Sequence, residues 1–257
     1  LKIPQHYYQE LNCAQCVNTA ELGFDFSFAY QPIVQASTRQ IVSYEALARG
    51  VHGEPFASVF AQVTKENLYR FDQACRVKAI KLAAELGMDV RLSINFAPNA
   101  VYKPDLCIRT TLAAAREFNF PLHKISFEVT EGEELVEKSH LVNIFKEYKN
   151  LGFTTAIDDF GAGYSGLYLL AEFQPDFIKI DRQLIAGVDK NKARQAIVQG
   201  LVVTCSMLGI GVLAEGVETH AEYAWLRAHA IDFYQGYYFA RPGFECLPSV
   251  APELFDL

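Results

Sequence analysis

The sequence lacks an excess of positive charge. Its 257 residues hold 23 Lys and Arg against 30 Asp and Glu, a formal net charge of −7. Nonspecific binding to a nucleic-acid polymer needs a basic footprint, so this balance counts against it. It says nothing against a small anionic ligand held through metal ions. The composition of a disordered chain is also missing, because hydrophobic residues make up 51% and charged residues 21%. That is enough apolar side chain to build a core. No Pro-, Ser- or Gly-rich run is long enough to act as an interdomain linker. At roughly 150 residues per domain the length would suggest two domains, but α/β barrels commonly use about 200–250 residues as one.

Long apolar runs are scarce too. The first ten residues contain Pro4, His6 and Glu10 and no apolar stretch of the secretory-leader kind. Residues 1–25 read as an N-terminal extension, the remnant of a linker, and residues 26–257 as one domain. The segment from Gln195 to Ala214 carries no charge and imitates a membrane span. Gly209 and Gly211 break it, however, into a helix-like half and the short run Val212–Ala214. A buried helix followed by a buried strand is the better reading. Cysteine is limited to positions 13, 16, 75, 107, 205 and 246, and only Cys13 and Cys16 form a C-x-x-C pair. No second close pair or H-x3-H accompanies it, so a structural zinc site is short of ligands. The pair also precedes the first strand, whereas a redox motif sits beside a βαβ unit. Scattered unpaired thiols fit a reducing compartment and hence a cytoplasmic location. The sequence has neither G-x-x-x-x-G-K-[ST] nor G-x-S-x-G, which excludes a P-loop and a nucleophile elbow.

What the sequence does have is alternation. Short apolar runs occur at 28–34, 41–47, 90–96, 124–130, 154–159, 177–181, 212–215 and 233–239. Stripes of helical period lie between them, including Asp72–Leu86, Leu106–Phe118 and His140–Leu151. Gly87 and Gly152 each follow a stripe, as expected of helix C-caps. Strands alternating with helices imply βαβ units and a mainly parallel sheet.

The polar residues that end these runs are more informative. Asn95, Glu128, Asp158, Lys179, Glu215 and Gln235 are separated by 33, 30, 21, 36 and 20 residues. Each interval is about the length of one βα unit. Ligands of such sheets bind at the carboxyl ends of the strands, so these residues should converge on one mouth. Any one of them alone would be an ordinary surface residue, and Lys179 an ordinary strand lysine; six in phase with the repeat are not.

Glu45, Glu128, Asp158, Asp159 and Glu215 would repel one another if gathered without cations. Hard divalent cations resolve this, because Mg²⁺ and Mn²⁺ prefer oxygen ligands and Asn95 adds a neutral carbonyl. Adjacent Asp158 and Asp159 allow one carboxylate to bridge two ions while the other binds one. Two ions roughly 3.5–4 Å apart suit phosphodiester hydrolysis. Lys179 would orient a water or offset carboxylate charge, and Arg49, four residues after Glu45, would anchor a phosphate. The glycine-rich stretch D-D-F-G-A-G-Y-S-G (158–166) follows the aspartate pair as a shaped loop.

At this point the sequence resembles the EAL domain family of cyclic di-GMP phosphodiesterases. The signature is Glu45-Ala46-Leu47, and the flanking motifs appear in family order. They are Q-P-I-V (31–34), S-I-N (93–95), F-E-V-T-E (127–131), I-D-D-F-G-A-G-Y-S (157–165), I-K-I-D (178–181), A-E-G-V-E (214–218) and Q-G-Y-Y-F-A-R-P (235–242). The resemblance implies an α/β fold, a modified TIM (β/α)8 barrel with one antiparallel strand. It implies hydrolysis of 3′,5′-cyclic di-GMP to linear pGpG with two Mg²⁺ or Mn²⁺ ions.

Position by position, it makes Glu45, Asn95, Glu128, Asp158, Asp159, Glu215 and Gln235 metal ligands. Lys179 would contact the nucleophilic water, with Glu45, Asp159 and Glu131 completing the catalytic set. Glu131 would steady the loop after Asp159. Gln31, Leu47 and Arg49 would contact substrate, together with Asn95 and Gln235. The loop and helix at 160–170 would form a homodimer interface. Asp181 and Glu218 are expected to play supporting roles. Two departures stand out: Gly166, where the family often has Ser, and Gly50, where Trp often follows the arginine. The rival expectation is a catalytically silent cyclic di-GMP receptor acting through a protein partner.

Overall fold

The computed structural model of the protein describes residues 22–101, 103–131, 138–163 and 166–257. The expected apolar runs form strands: β1 (Ser27–Gln35), β2 (Gln40–Arg49), β3 (Arg91–Asn95), β4 (Ile125–Thr130), β5 (Thr154–Phe160), β6 (Phe177–Ile180), β7 (Gly211–Ala214) and β8 (Phe233–Tyr234). β2 to β8 pair in sequence order and in parallel. β1 closes the ring by pairing antiparallel with both β2 and β8. The result is the (β/α)8 barrel with one reversed strand that the sequence leads one to expect. The reversal has a local cause. Only residues 36–39 join β1 to β2, a hairpin turn, and a parallel connection needs about a dozen residues or more. A short β9 (Gly243–Phe244) pairs with β1 beyond the reach of β8.

The helices are α1 (Phe56–Phe60), α2 (Leu68–Glu85), α3 (Pro104–Cys107), α4 (Arg109–Glu117), α5 (Lys138–Asn150), α6 (Gly166–Glu172), α7 (Arg182–Ile185), α8 (Lys192–Leu208) and α9 (His220–Ala228). Gly87 and Gly152 follow α2 and α5 with φ of +69° and +88°, the left-handed conformation that lets glycine end a helix. The uncharged stretch resolves as expected into a helix ending at Gly209 and the strand β7. No helix among the described residues is long and apolar enough to cross a membrane.

Two expectations change. The stripe Leu106–Phe118 is interrupted at Ile108 and gives two helices. The run 233–239 is a strand only at its first two residues. Its chain turns at Gly236, where a Cβ would lie 2.0 Å from the Val217 carbonyl oxygen. Close backbone packing against β7's exit loop therefore ends the strand just as Gln235 reaches the mouth.

Strand alternation sorts the side chains. Leu92, Ile94, Phe127, Val129, Ile178 and Ile180 are buried apolar residues of the core. Their neighbours Ser93, Asn95, Ser126, Glu128 and Lys179 take the opposite face of the same strands, the inside of the barrel.

Candidate active site

Lys179 is fully buried in the mouth of the barrel. Its Nζ lies 2.7 Å from Glu128 Oε2, 2.7 Å from Glu215 Oε1, 3.1 Å from Glu45 Oε2 and 3.1 Å from Asp158 Oδ1. Three strands, β2, β4 and β5, and the residue that follows β7 thus contribute one carboxylate each to a single ammonium. The two amides join the same cluster. Asn95 Nδ2 donates to Glu45 Oε1 at 2.7 Å, and Gln235 Nε2 donates to Glu45 Oε2 at 2.8 Å. Gln31, on the reversed strand opposite Glu45, accepts from Gln235 at 3.3 Å and donates to the Ala240 carbonyl at 3.2 Å.

The electrostatics follow from crowding. Burial alone would depress the Lys179 ammonium, but Asp158, Glu128, Glu215 and Glu45 outweigh it and hold its pKa well above the ordinary value. Burial, with the charges of Glu45 and Asp158, pushes Glu128 up to about 7 against the pull of Lys179. Asp159 is raised to about 6 by burial and by the Asp158 charge beside it. Burial and Asp158 also raise Glu215 well above the carboxylate range. Asp158 alone moves down: burial opposes its charge, but Lys179 and a hydrogen bond from Glu215 prevail.

This cluster fits divalent cations. Glu45, Glu128 and Asp158 can point one ligand oxygen each into a common space, and so can Asp158, Asp159 and Glu215. Asp158 belongs to both groups, as a bridging carboxylate must. Gln235 Oε1 is buried without a hydrogen-bond partner, a free neutral donor atom at the same place. Fully ionised, the five carboxylates and one ammonium leave four negative charges, which two divalent ions would cancel. The raised carboxylate pKa values express the same deficit of positive charge.

The backbone after the aspartate pair is held by Glu131. Its Oε2 accepts from the Gly161 and Gly163 amides at 2.7 and 3.0 Å, and its Oε1 from the Gly166 amide at 2.6 Å. Asp159 has φ +52°, an uncommon conformation for a residue with a side chain. Three hydrogen bonds to one carboxylate fix the loop just beyond that strained residue. Tyr164 and Ser165 lie outside the described residues, as do Cys13 and Cys16.

Leu47 and Arg49 line a cavity of about 740 Å³ that opens on Glu45, Asn95 and Asp158. Its outer walls are apolar, with Phe28, Phe56, Phe60 and Phe71 among them. Arg49 Nη1 donates to its own strand at Ala48 O, 2.8 Å away, and Arg49 also borders a second space beside Tyr237 and Arg241. Asp181 caps α7 by accepting from Gln183 N, and Glu218 pairs with Arg182 at 2.8 Å. The two departures from the family pattern have local causes. A Cβ at Gly166 would lie 2.6 Å from Phe160 and 2.7 Å from Glu131 Oε1, and one at Gly50 would lie 2.2 Å from Glu54 Oε2.

One group escapes the sequence reading. Asp72 and Arg76 are buried on α2, within the apolar stripe, and Asp72 accepts from the Ala97 amide just past Asn95. The available signal was a pair of opposite charges at i and i+4 on a face otherwise apolar.

A parallel barrel whose strand ends gather carboxylates, amides and one buried lysine defines a barrel protein with an acidic, cation-accepting mouth. The chain belongs to the EAL domain family, whose profile matches residues 18–242. It is 35% identical over 229 residues to the blue light- and temperature-regulated antirepressor BluF of Escherichia coli, covering 88% of this chain and 57% of that protein. It is 33% identical over 179 residues to the cyclic di-GMP phosphodiesterase PdeR of the same organism, covering 69% of this chain and 26% of PdeR. Among solved structures it is similar to a standalone versatile EAL protein from Vibrio cholerae O395 in its c-di-GMP-bound form. There the TM-score is 0.88 and the identity 53%, over 91% of this chain and 99% of that one. BlrP1 of Klebsiella pneumoniae, in a manganese and cy-diGMP complex, gives a TM-score of 0.81 at 37% identity, over 86% of this chain and 56% of BlrP1. The chain thus spans little more than half of BluF and about a quarter of PdeR.

Proposed function

We propose that the protein hydrolyses 3′,5′-cyclic di-GMP to linear pGpG, with two Mg²⁺ or Mn²⁺ ions held by Glu45, Asn95, Glu128, Asp158, Asp159, Glu215 and Gln235. The observation that carries this is Asp158, shared by two groups of ligand oxygens around one buried lysine. When bound, such ions supply an activated water and offset charge at the attacked phosphorus. The residues of the chain do the rest. Lys179 Nζ, fixed by four carboxylates, orients the water for in-line attack. Water adds across one P–O3′ bond: its oxygen goes to phosphorus and a proton ends on the departing 3′ oxygen. Arg49 anchors a phosphate, Gln31 and Leu47 position the nucleotide, and Glu131 keeps Asp159 in its ligand position. The apolar walls exclude water from the bases.

Several wider features belong to the same reading: a cytoplasmic location, the division into an extension at 1–25 and a barrel at 26–257, and a homodimer. Leu167 and Tyr168 are 65% and 51% exposed on α6, which suits a dimer contact around 160–170. The test is chromatography of cyclic di-GMP incubated with purified protein and Mg²⁺ or Mn²⁺. Linear pGpG should form and should disappear in Glu45→Ala; turnover that survives removal of all metal contradicts the two-ion mechanism.

A second reading rests on BluF, a relative whose name is that of an antirepressor. On that reading the protein binds cyclic di-GMP without cleaving it and signals to a partner. Tight binding with no pGpG would favour it.

A further inference from the structure

Behind the β3–β4 wall, with Asp72 also lining the cavity that opens on Glu45 and Asn95, a buried ionic group touches the supports of two expected metal ligands. Arg76 is completely buried on α2. Its Nε lies 2.9 Å from Asp72 Oδ2, and its Nη1 donates to the Tyr148 hydroxyl of α5 at 2.8 Å. Asp72 Oδ1 accepts from the Ala97 amide at 2.9 Å. The guanidinium carbon sits 5.4 Å from the Phe96 ring centroid and 5.0 Å from that of Phe127. Phe96 follows Asn95, and Phe127 precedes Glu128. Asn95 and Glu128 are partners across β3 and β4, and the Phe96 amide donates to the Glu128 carbonyl at 3.0 Å. The cation therefore stands directly behind the seam that carries both ligands.

We propose that Asp72, Arg76 and Tyr148 are positioning residues that fix Asn95 and Glu128 for metal binding. The inference rests on the two-ion reading of the site. A buried ion pair is a poor device for stability alone, because desolvation consumes much of the attraction and apolar pairs of similar volume do as well or better. Arg76 Nη2 is buried without a partner, so the group is not optimised for stability. What the pair provides is direction. Asp72 fixes the backbone one residue beyond Phe96, and the flat guanidinium holds both rings through cation–π contacts. Apolar side chains would fill the space but would let β3 and β4 slide by fractions of an ångström. Ligands that must meet one ion tolerate little of that.

The test compares wild type with the double variant D72L/R76M, with Tyr148→Phe and with Arg76→Lys. Thermal unfolding, Mn²⁺ affinity by calorimetry, and kcat and KM for cyclic di-GMP are measured for each. The double variant should unfold a few degrees below wild type, since the Ala97 amide loses its acceptor. It should bind Mn²⁺ at least tenfold more weakly, with kcat down tenfold or more and KM changed less than threefold. Arg76→Lys, which keeps the charge, should recover part of the Mn²⁺ affinity, and Tyr148→Phe should lose two- to threefold. Wild-type Mn²⁺ affinity in the double variant overturns the proposal. If the double variant does not fold, wild-type Mn²⁺ affinity in both single variants overturns it equally. Mn²⁺ binding without turnover by the wild-type protein would sink the hydrolase reading and leave the affinity comparison decisive for the positioning role. Absence of Mn²⁺ binding at the cluster would overturn both.

Discussion

Lys179 and Glu131 show how single residues here serve several partners at once. The Lys179 ammonium is the shared counter-ion of Glu45, Glu128, Asp158 and Glu215. Lys179→Met should abolish turnover. It should also destabilise the metal-free protein at pH 8 by on the order of 3 kcal/mol, because it leaves buried charges uncompensated. The penalty should shrink toward pH 5, where Glu128, raised to about 7, takes up a proton, and urea denaturation at the two pH values would measure both. Glu131 acts on geometry and not on charge balance. Glu131→Ala removes the acceptor of the Gly161, Gly163 and Gly166 amides. A loss of about tenfold to a hundredfold in kcat is expected from a misplacement of this kind. The unfolding temperature should fall as well, because Glu131 is buried and the Gly166 amide loses a buried acceptor; steady-state kinetics beside a thermal scan would check it.

Among the described residues, the exit of β5 with the entry of α6 is tightly held. It combines the left-handed Asp159, the glycine amides on Glu131, and Gly166 packed against Phe160. Gly166→Ser should destabilise the protein by about 1–3 kcal/mol, as overpacking does. The new Cβ would meet the Phe160 ring and the Glu131 carboxylate, so activity should fall with stability. Chemical denaturation and pGpG formation measured together would show this. The neutral outcome, stability and rate both unchanged, would mean that the Phe160 ring moves freely.

For the whole molecule, pH and metal should act as one variable. Glu128 at about 7 and Asp159 at about 6 both titrate above the ordinary carboxylate value in the folded state. The folded protein then binds more protons than the unfolded one, so stability falls as pH rises. The loss from Glu128 and Asp159 begins above the unfolded carboxylate pKa of about 4 and is complete once pH has passed about 7, the Glu128 value, while Glu215, raised well above the carboxylate range, carries the same trend further. Asp158 has the opposite sign, but its lowered pKa places its window below the Asp reference value of 3.8. Metal-free protein should therefore melt at lower temperature at pH 8 than at pH 5. Saturating Mn²⁺ should reverse that slope, because the ions bind the ionised carboxylates of the folded state. Thermal scans in chelator and in Mn²⁺ across this range would decide it.

Much of this was legible in the sequence. The βα spacing of Asn95, Glu128, Asp158, Lys179, Glu215 and Gln235 reflects a local rule: one unit of strand and helix has a set length, and ligands gather where strands end. The reversed strand was expected from the family resemblance, and the four-residue link between β1 and β2 gives its physical cause, since no crossover fits in it. Other features needed the closed barrel. That one ammonium meets four carboxylates is a matter of three-dimensional convergence, which no spacing encodes. The burial that raises Glu128, Asp159 and Glu215 comes from the surrounding wall, not from neighbours in sequence. The charges of Asp72 and Arg76 looked out of place on an apolar helix face until α2, α5, β3 and β4 came together. Local sequence sets element type and direction because those depend on neighbouring residues. Charge balance and ligand geometry depend on groups a hundred residues apart, and only the fold brings those within hydrogen-bonding distance.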